Sequence, residues 1–487
     1  MGSKSLIKST GLVSILTILS RLLGFVRDHV VARAFGAGLI TDIFFVAFRI
    51  PNLLRSLVAE GALTSAFVPI FSDDEHASSN TAEQTFAAAL SCLLILTTSL
   101  TLAGILTAPL LVRLMGAGFS DNPESLQLGV DLSRIMLPYI ICISFVALCN
   151  GALNVRNIYG SSPLSQTIMN VCMIFGGLGA LWTDSQLGIY FLAVSVLMGG
   201  LAQVLFQIPY LKRAKIPLTI SLQPFTPSVR KMLLLMIPAI FGAAVYQVSI
   251  FMTTLLASLL PDGSISYLQF ADRLSQLPIG IFSIALGSVL LPMLSRSAST
   301  QNWTSYGNYL NLSLSLVSLV MIPIACGMFY YSDELVRLVF ESGRFTAGDS
   351  LQTSNALKVM CLALWSSSCV SMLMRAFIAT KDTLTPSLIG VITLVANFAL
   401  SLGLMGDIQS KDSLSVIRFV QAIQQVVQAY FPTGNFAHVG LAFASTIASF
   451  LSVLILVGML SKRSIPLDLG GFLRATAGSL LASACML

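Results

Sequence analysis

Apolar runs of twenty or more residues, separated by short polar stretches, recur along almost the whole chain. A bilayer crossing needs about 20 mostly apolar residues. On that basis the pattern predicts spans over 11–34, 40–71, 86–112, 130–155, 162–182, 187–211, 231–259, 267–293, 307–330, 353–378, 385–405 and 437–460. A thirteenth begins near Phe472 and reaches Leu487, sixteen residues in all, so it is expected to be incomplete. The polar, Gln-rich stretch 406–436 behaves differently. Its Val416, Phe419, Val420, Ile423, Val427 and Tyr430 recur with a helical period, predicting an amphipathic helix on the outer surface.

Composition sharpens this picture. Of 487 residues, 55% are hydrophobic and 10% charged, where a soluble domain carries roughly 25% charged residues. Mean hydropathy is +0.85. The expected fold is all-α and polytopic, and no nucleic-acid partner is expected. The eight cysteines fall in apolar runs without metal-ligand spacing, and the three histidines are scattered. Basic residues in the loops set the orientation. With the N-terminus in the cytoplasm, twelve loop Lys and Arg lie inside and six outside, with the densest group at 212–231. That stretch is expected to lie along the membrane near anionic headgroups.

The two halves of the chain repeat. Residues 62–72 (ALTSAFVPIFS) match 285–295 (ALGSVLLPMLS) at an offset of 223, Leu111–Leu114 matches Leu335–Leu338 at 224, and Pro163 matches Pro386 at 223. Six spans per repeat give both halves the same orientation, as expected of two six-helix bundles related by a pseudo-twofold axis along the membrane normal. The expected organisation is an N-lobe over 1–211, a linker over 212–230, a C-lobe over 231–460 containing the outer insertion, and the partial span over 461–487.

Charges inside the spans are the candidate chemistry. A central charge costs at least roughly 2.5–3.5 kcal/mol, so such residues persist where they face water or one another. Basic residues at depth are Arg21, Arg27, Arg49, Arg55, Arg134, Arg273, Lys358, Arg375 and Arg474; the acids are Asp28, Asp42, Glu60, Asp131 and Asp272. Arg21 and Asp28, seven apart, share a helix face, as do Arg49 and Glu60, eleven apart; Asp272 lies 223 positions after Arg49. The guanidinium fork grips phosphate oxygens and keeps its proton, so an arginine surplus at membrane depth suits a pyrophosphate. The competing reading is internal pairing of Arg27 with Asp28, Arg55 with Glu60, and Arg273 with Asp272. No nucleotide-binding, hydrolase or metal motif is present.

Residues 20–28 (SRLLGFVRD), 34–38 (AFGAG) and 41–71 (TDIFFVAFRIPNLLRSLVAEGALTSAFVPIF) closely resemble the MurJ (MviN) family of lipid II flippases, in the multidrug/oligosaccharidyl-lipid/polysaccharide (MOP) exporter superfamily. Residues 263–295 resemble that family's eighth helix. The resemblance implies translocation of lipid-linked disaccharide-pentapeptide from the inner to the outer leaflet of the bacterial cytoplasmic membrane, for cell wall synthesis, by a monomer embedded in membrane lipid. It implies transport, with no catalytic residue, metal site or bound cofactor, driven by membrane potential or a monovalent cation. Substrate contacts would fall on Arg21, Arg27, Arg49, Arg55 and Arg273, and orienting or gating roles on Asp28, Asp42, Glu60, Ser266 and Asp272. The chain departs from the family at Arg55-Ser56, where two arginines are usual, and at Thr253, where some members carry an acid. The alternatives are a related exporter of another polyprenyl-linked oligosaccharide or of drugs, and a membrane polyprenyl-phosphate transferase. The last would need clustered carboxylates for a divalent metal.

Overall fold

A computed structural model describes residues 3–57, 62–119, 122–406, 408, 415–430, 434–463 and 465–486. Among these the regular structure is entirely helical. By contact density the chain divides inside one helix into two compact units, Met1–Phe251 and Met252–Leu487. Eight helical stretches among the described residues are long and apolar enough to cross a membrane, nine if one bent helix is counted.

The first unit contains α1 (Ser3–Phe35), α2 (Leu39–Arg55), α3 (Ala62–Ala77), α4 (Ser79–Met115), α5 (Pro123–Met136), α6 (Tyr139–Val155), α7 (Ser161–Ala180), α8 (Ser185–Arg213) and most of α9 (Pro227–Ser258). Local sequence sets several boundaries. Asn122 accepts hydrogen bonds from the Glu124 and Ser125 amides, and Pro123 opens α5 where no backbone donor is needed. α1 packs on α7, and α2 on α5 and α6. The core of this unit is aromatic: Phe67 stacks on Phe71 at 5.1 Å, and Phe71 meets Phe86 edge-on at 6.5 Å. Val229, Met232 and Met236 at the start of α9 join that core.

A polar network runs through the same unit. Gln207 donates to Asn150 Oδ1 and Ser165 Oγ, both at 2.9 Å, and Gln203 donates to the Ser165 carbonyl at 2.8 Å. Interhelical bonds of this kind hold helices together where burial of apolar surface gives no driving force. At the far end of α6, Arg156 pairs with Glu75 at 3.0 Å and donates to the Ala214 carbonyl. The stretch after α8 is packed on one side, with Ile216 buried and the Ser221 amide bonded to Ser91 Oγ at 2.8 Å; Ile220, Leu222 and Phe225 are exposed.

The second unit continues with α10 (Ser264–Pro278), α11 (Ile284–Ser299), α12 (Trp303–Tyr330), α13 (Ser332–Phe340), α14 (Ala347–Ala379), α15 (Leu384–Leu404), α16 (Ser415–Tyr430), α17 (Ala437–Ser461) and α18 (Leu469–Met486). α14 is its hub, packing against α10, α11, α12 and α17. Thr346 and Asp349 cap it reciprocally. The amphipathic helix expected in 406–436 is α16, which lies against α15. It buries Ile417, Val420 and Gln424, and turns Phe419 outward, contrary to the expected face. The reason is polar. Gln424 donates to the carbonyls of Leu402 (3.2 Å) and Gly406 (2.7 Å) at the end of α15, and this rotates the helix toward Gln424.

The repeat is visible in backbone detail. Asn157 and Lys381, 224 apart, both take positive φ (63° and 61°) just after α6 and α14. The Ile158 amide bonds the Leu153 carbonyl as the Asp382 amide bonds the Phe377 carbonyl, at the same offset. The winding turns from α to π at Ser56–Leu57 after α2, and again 223 positions later at Ile279–Ser283 after α10.

Candidate functional site

α1 carries Arg21, Arg27 and Asp28 through an otherwise apolar stretch. The Arg27 side chain folds back on its neighbour: Nε and Nη2 both donate to Asp28 Oδ1, at 3.0 and 2.8 Å. Nη1 donates to Asn170 Oδ1 of α7 at 3.0 Å, and the Asn170 amide nitrogen donates in turn to the Ser20 carbonyl at 2.9 Å. Arg27 and Asp28 keep only 14% and 12% of their side-chain surface exposed. The guanidinium is therefore held in one plane by three bonds, and its charge is matched by one carboxylate. Asn170 was not among the residues picked out from sequence. Its signal was available as one of two amides, with Gln166 a turn before it, in a largely apolar span.

α2 carries Asp42, Arg49 and Arg55. Asp42 is buried in the first turn, where a carboxylate suits the helix dipole. Beside it the Thr41 hydroxyl donates to the Gly36 carbonyl at 3.0 Å. Arg49 is two turns from Asp42 on one face, and partly buried. Arg55 ends the helix at the point where the winding becomes π. Glu60 lies outside the described residues, so its expected pairing with Arg55 does too.

In the second unit α10 carries Ser266, fully buried, with Asp272 and Arg273 partly buried. Asp272 Oδ2 accepts from Gln276 at 2.5 Å, one turn along. The residues expected to meet cargo thus lie on α1 and α2 in the first unit and on α10 in the second. Other basic residues at depth are engaged elsewhere. Lys358 pairs with Asp333 at 2.9 Å, and Ser354 also donates to that carboxylate. Those bonds, the serine's first and the lysine's next, hold Asp333 below the usual carboxylate range. Arg134 and Arg474 reach only backbone carbonyls, of Ile105 and Gly470. Among the described residues no group of three His, Cys, Asp or Glu could hold a metal.

Long apolar helices in a repeated arrangement, carrying buried or half-buried arginines, define a polytopic membrane protein. Its fold matches an inward-facing multidrug transporter of the MOP superfamily with a TM-score of 0.70 at 15% identity, over 92% of this chain and 96% of that one. A family model described as lipid II flippase MurJ matches residues 31–487, and the chain belongs to that family. It is 34% identical over 465 residues to a probable lipid II flippase MurJ of Vibrio cholerae, covering 93% of this chain and 82% of the relative. The lipid II flippase MurJ of Burkholderia cenocepacia is 34% identical over 388 residues, 79% of this chain and 75% of that protein. A solved lipid II flippase MurJ in an inward-closed conformation superposes with a TM-score of 0.79 at 26% identity, over 98% of this chain and 92% of that one.

Proposed function

We propose that this protein moves lipid II from the inner to the outer leaflet of the bacterial cytoplasmic membrane by alternating access. Its N-terminus is cytoplasmic, it acts as a monomer in membrane lipid, and it transports rather than catalyses. The observation that carries this reading is Arg27: a permanently charged fork at membrane depth, oriented by Asp28 and Asn170, in a chain of the lipid II flippase family. Two oxygens of one phosphoryl group offer the fork a pair of acceptors, as a carboxylate does, and the pyrophosphate as a whole carries more charge than Asp28. Arriving cargo exchanges for Asp28 on Nε and Nη2, while Asn170 keeps the fork aligned. The displaced carboxylate then has reason to seek another cation, which links cargo binding to a rearrangement of α1. Arg21, Arg49, Arg55 and Arg273 supply further phosphate contacts; Asp42, Glu60, Ser266 and Asp272 orient them.

Translocation draws on the membrane potential or on a monovalent cation. Each charge moved across the field is worth about 2.3 kcal/mol per 100 mV, enough to bias the return of an arginine-rich site. The test is complementation in cells depleted of their own flippase. Arg27→Ala is expected to insert normally and fail to support growth, with lipid II accumulating in the inner leaflet. Asn170→Ala, which loses one bond to the fork, is expected to support slowed growth. Unimpaired growth with Arg27→Ala would remove this mechanism.

A further inference from the structure

The π turn Ile279–Ser283 carries a consequence for Arg273. A π turn holds one more residue than an α turn, so the helix before it is rotated by about 100° relative to the helix after it. α11 is fixed by packing on α12 and α14. α10 packs on α14 as well, and the direction in which it presents Asp272 and Arg273 relative to α11 depends on whether this turn is wound as π or as α. A π turn is the less stable winding and persists only where neighbours hold it.

The neighbour is a single face of α14. Ser368 and Arg375, seven apart and so on the same side of that helix, both reach Ser283, the last residue of the turn. Ser283 Oγ donates to Ser368 Oγ at 2.6 Å, with both side chains fully buried. Arg375 Nη1 donates to the Ser283 carbonyl at 3.4 Å. One turn further along, Gly287 lies against the same guanidinium, and a Cβ built there would fall within it. Arg375 is thus a membrane-depth arginine whose hydrogen bond goes to backbone.

We propose that Arg375 is a positioning residue: with Ser368 it clasps Ser283, keeps the turn in π winding, and so fixes the azimuth at which α10 presents Asp272 and Arg273 to the cargo. This rests on the reading of the protein as a pyrophosphate-lipid flippase for its purpose, and not for its geometry. The repeat supports a specific device. At the 224 offset of the neighbouring caps, the position equivalent to Arg375 is Gly151, and at the 223 offset the position equivalent to Gly287 is Thr64. With glycine at the Arg375 place, the arginine half of the clasp has no counterpart in the first unit.

The test uses spin labels at Asp262 and Val289, exposed positions on either side of the turn, in the full-length protein with its native cysteines replaced. Arg375→Ala is expected to shift the label-to-label distance by more than about 3 Å as the turn relaxes toward α winding, and to lower lipid II binding about tenfold. Arg375→Lys, which keeps a donor for the Ser283 carbonyl, restores most of the distance. Ser368→Ala, which removes the other half of the clasp, is expected to shift the distance in the same direction. An unchanged distance in Arg375→Ala, with binding lost, assigns Arg375 to direct cargo contact and overturns the proposal. So does an unchanged distance in Ser368→Ala. The distance does not depend on the cargo. A wild-type protein that fails to support flippase-depleted cells while giving these physical results would remove the transport reading and leave the clasp standing.

Discussion

The crossing of α3 with α6 in the first unit and that of α11 with α14 in the second occupy equivalent places in the repeat and are built from opposite materials. In the first, the glycine is on α6: Gly151 faces the ring of Phe67, which would lie 3.1 Å from an added Cβ. Phe67 is buried and stacked on Phe71. In the second, the glycine is Gly287 on α11, and the large group is the Arg375 guanidinium on α14. Both solutions let two helices approach closely, as small residues do in membranes. The first fills the gap with hydrocarbon and gains packing alone. The second places a hydrogen-bonding cation against a π turn and gains control over winding. Duplication preserved the crossing and its caps, while the chemistry at the contact diverged.

Substitutions can break or sharpen this contrast. The largest effect is expected from Phe67→Ala, which empties the centre of the first crossing and should cost about 3–5 kcal/mol in unfolding measurements. An effect below 1 kcal/mol would show that the aromatic core does not hold that crossing. Gly151→Val adds bulk where Phe67 has little room to yield, and about 1–3 kcal/mol is expected from overpacking. It should not be relieved by any change at Arg375.

A smaller effect tests the corners beyond the two crossings. In the first unit the corner is tied by Arg156 to Glu75. In the second, Asp382 pairs with Arg463 and accepts the Thr385 amide at 3.0 Å. Burial pushes the Asp382 carboxyl up, but the bonds from Thr385 and Arg463 outweigh it and leave the group at about 2. A depressed carboxyl stabilises the fold above its unfolded value, about 3.9, and that contribution fades as pH falls toward the folded value. Asp382→Asn should therefore cost about 1 kcal/mol at pH 7. The difference from wild type should shrink between about pH 4 and pH 2. A difference independent of pH would refute the ion pair as its source.

Much of the architecture was legible in the residues. The apolar runs foretold the long helices, though not the short α13 between two of them; the amphipathic insertion became α16, and an offset of 223 to 224 reappears in paired π turns and paired positive-φ caps. Arg27 and Asp28 could be named because charge in hydrocarbon is costly enough to demand a reason. What Arg27 touches could not, since Asn170 lies 143 positions away. Nor could the outward turn of Phe419, which follows from Gln424 reaching back to α15.

The sequence by itself determined that this protein lives in a bilayer, that it is built twice over, and where its buried charges lie along each span. These are properties of runs and spacings, and the cost of an unsatisfied backbone or charge in lipid leaves few other outcomes. Only the tertiary structure decided which partner each charge took and where a helix abandons α winding. Those outcomes turn on contacts such as Ser368 and Arg375 with Ser283, made by residues far apart in the chain that meet only once the helices have packed.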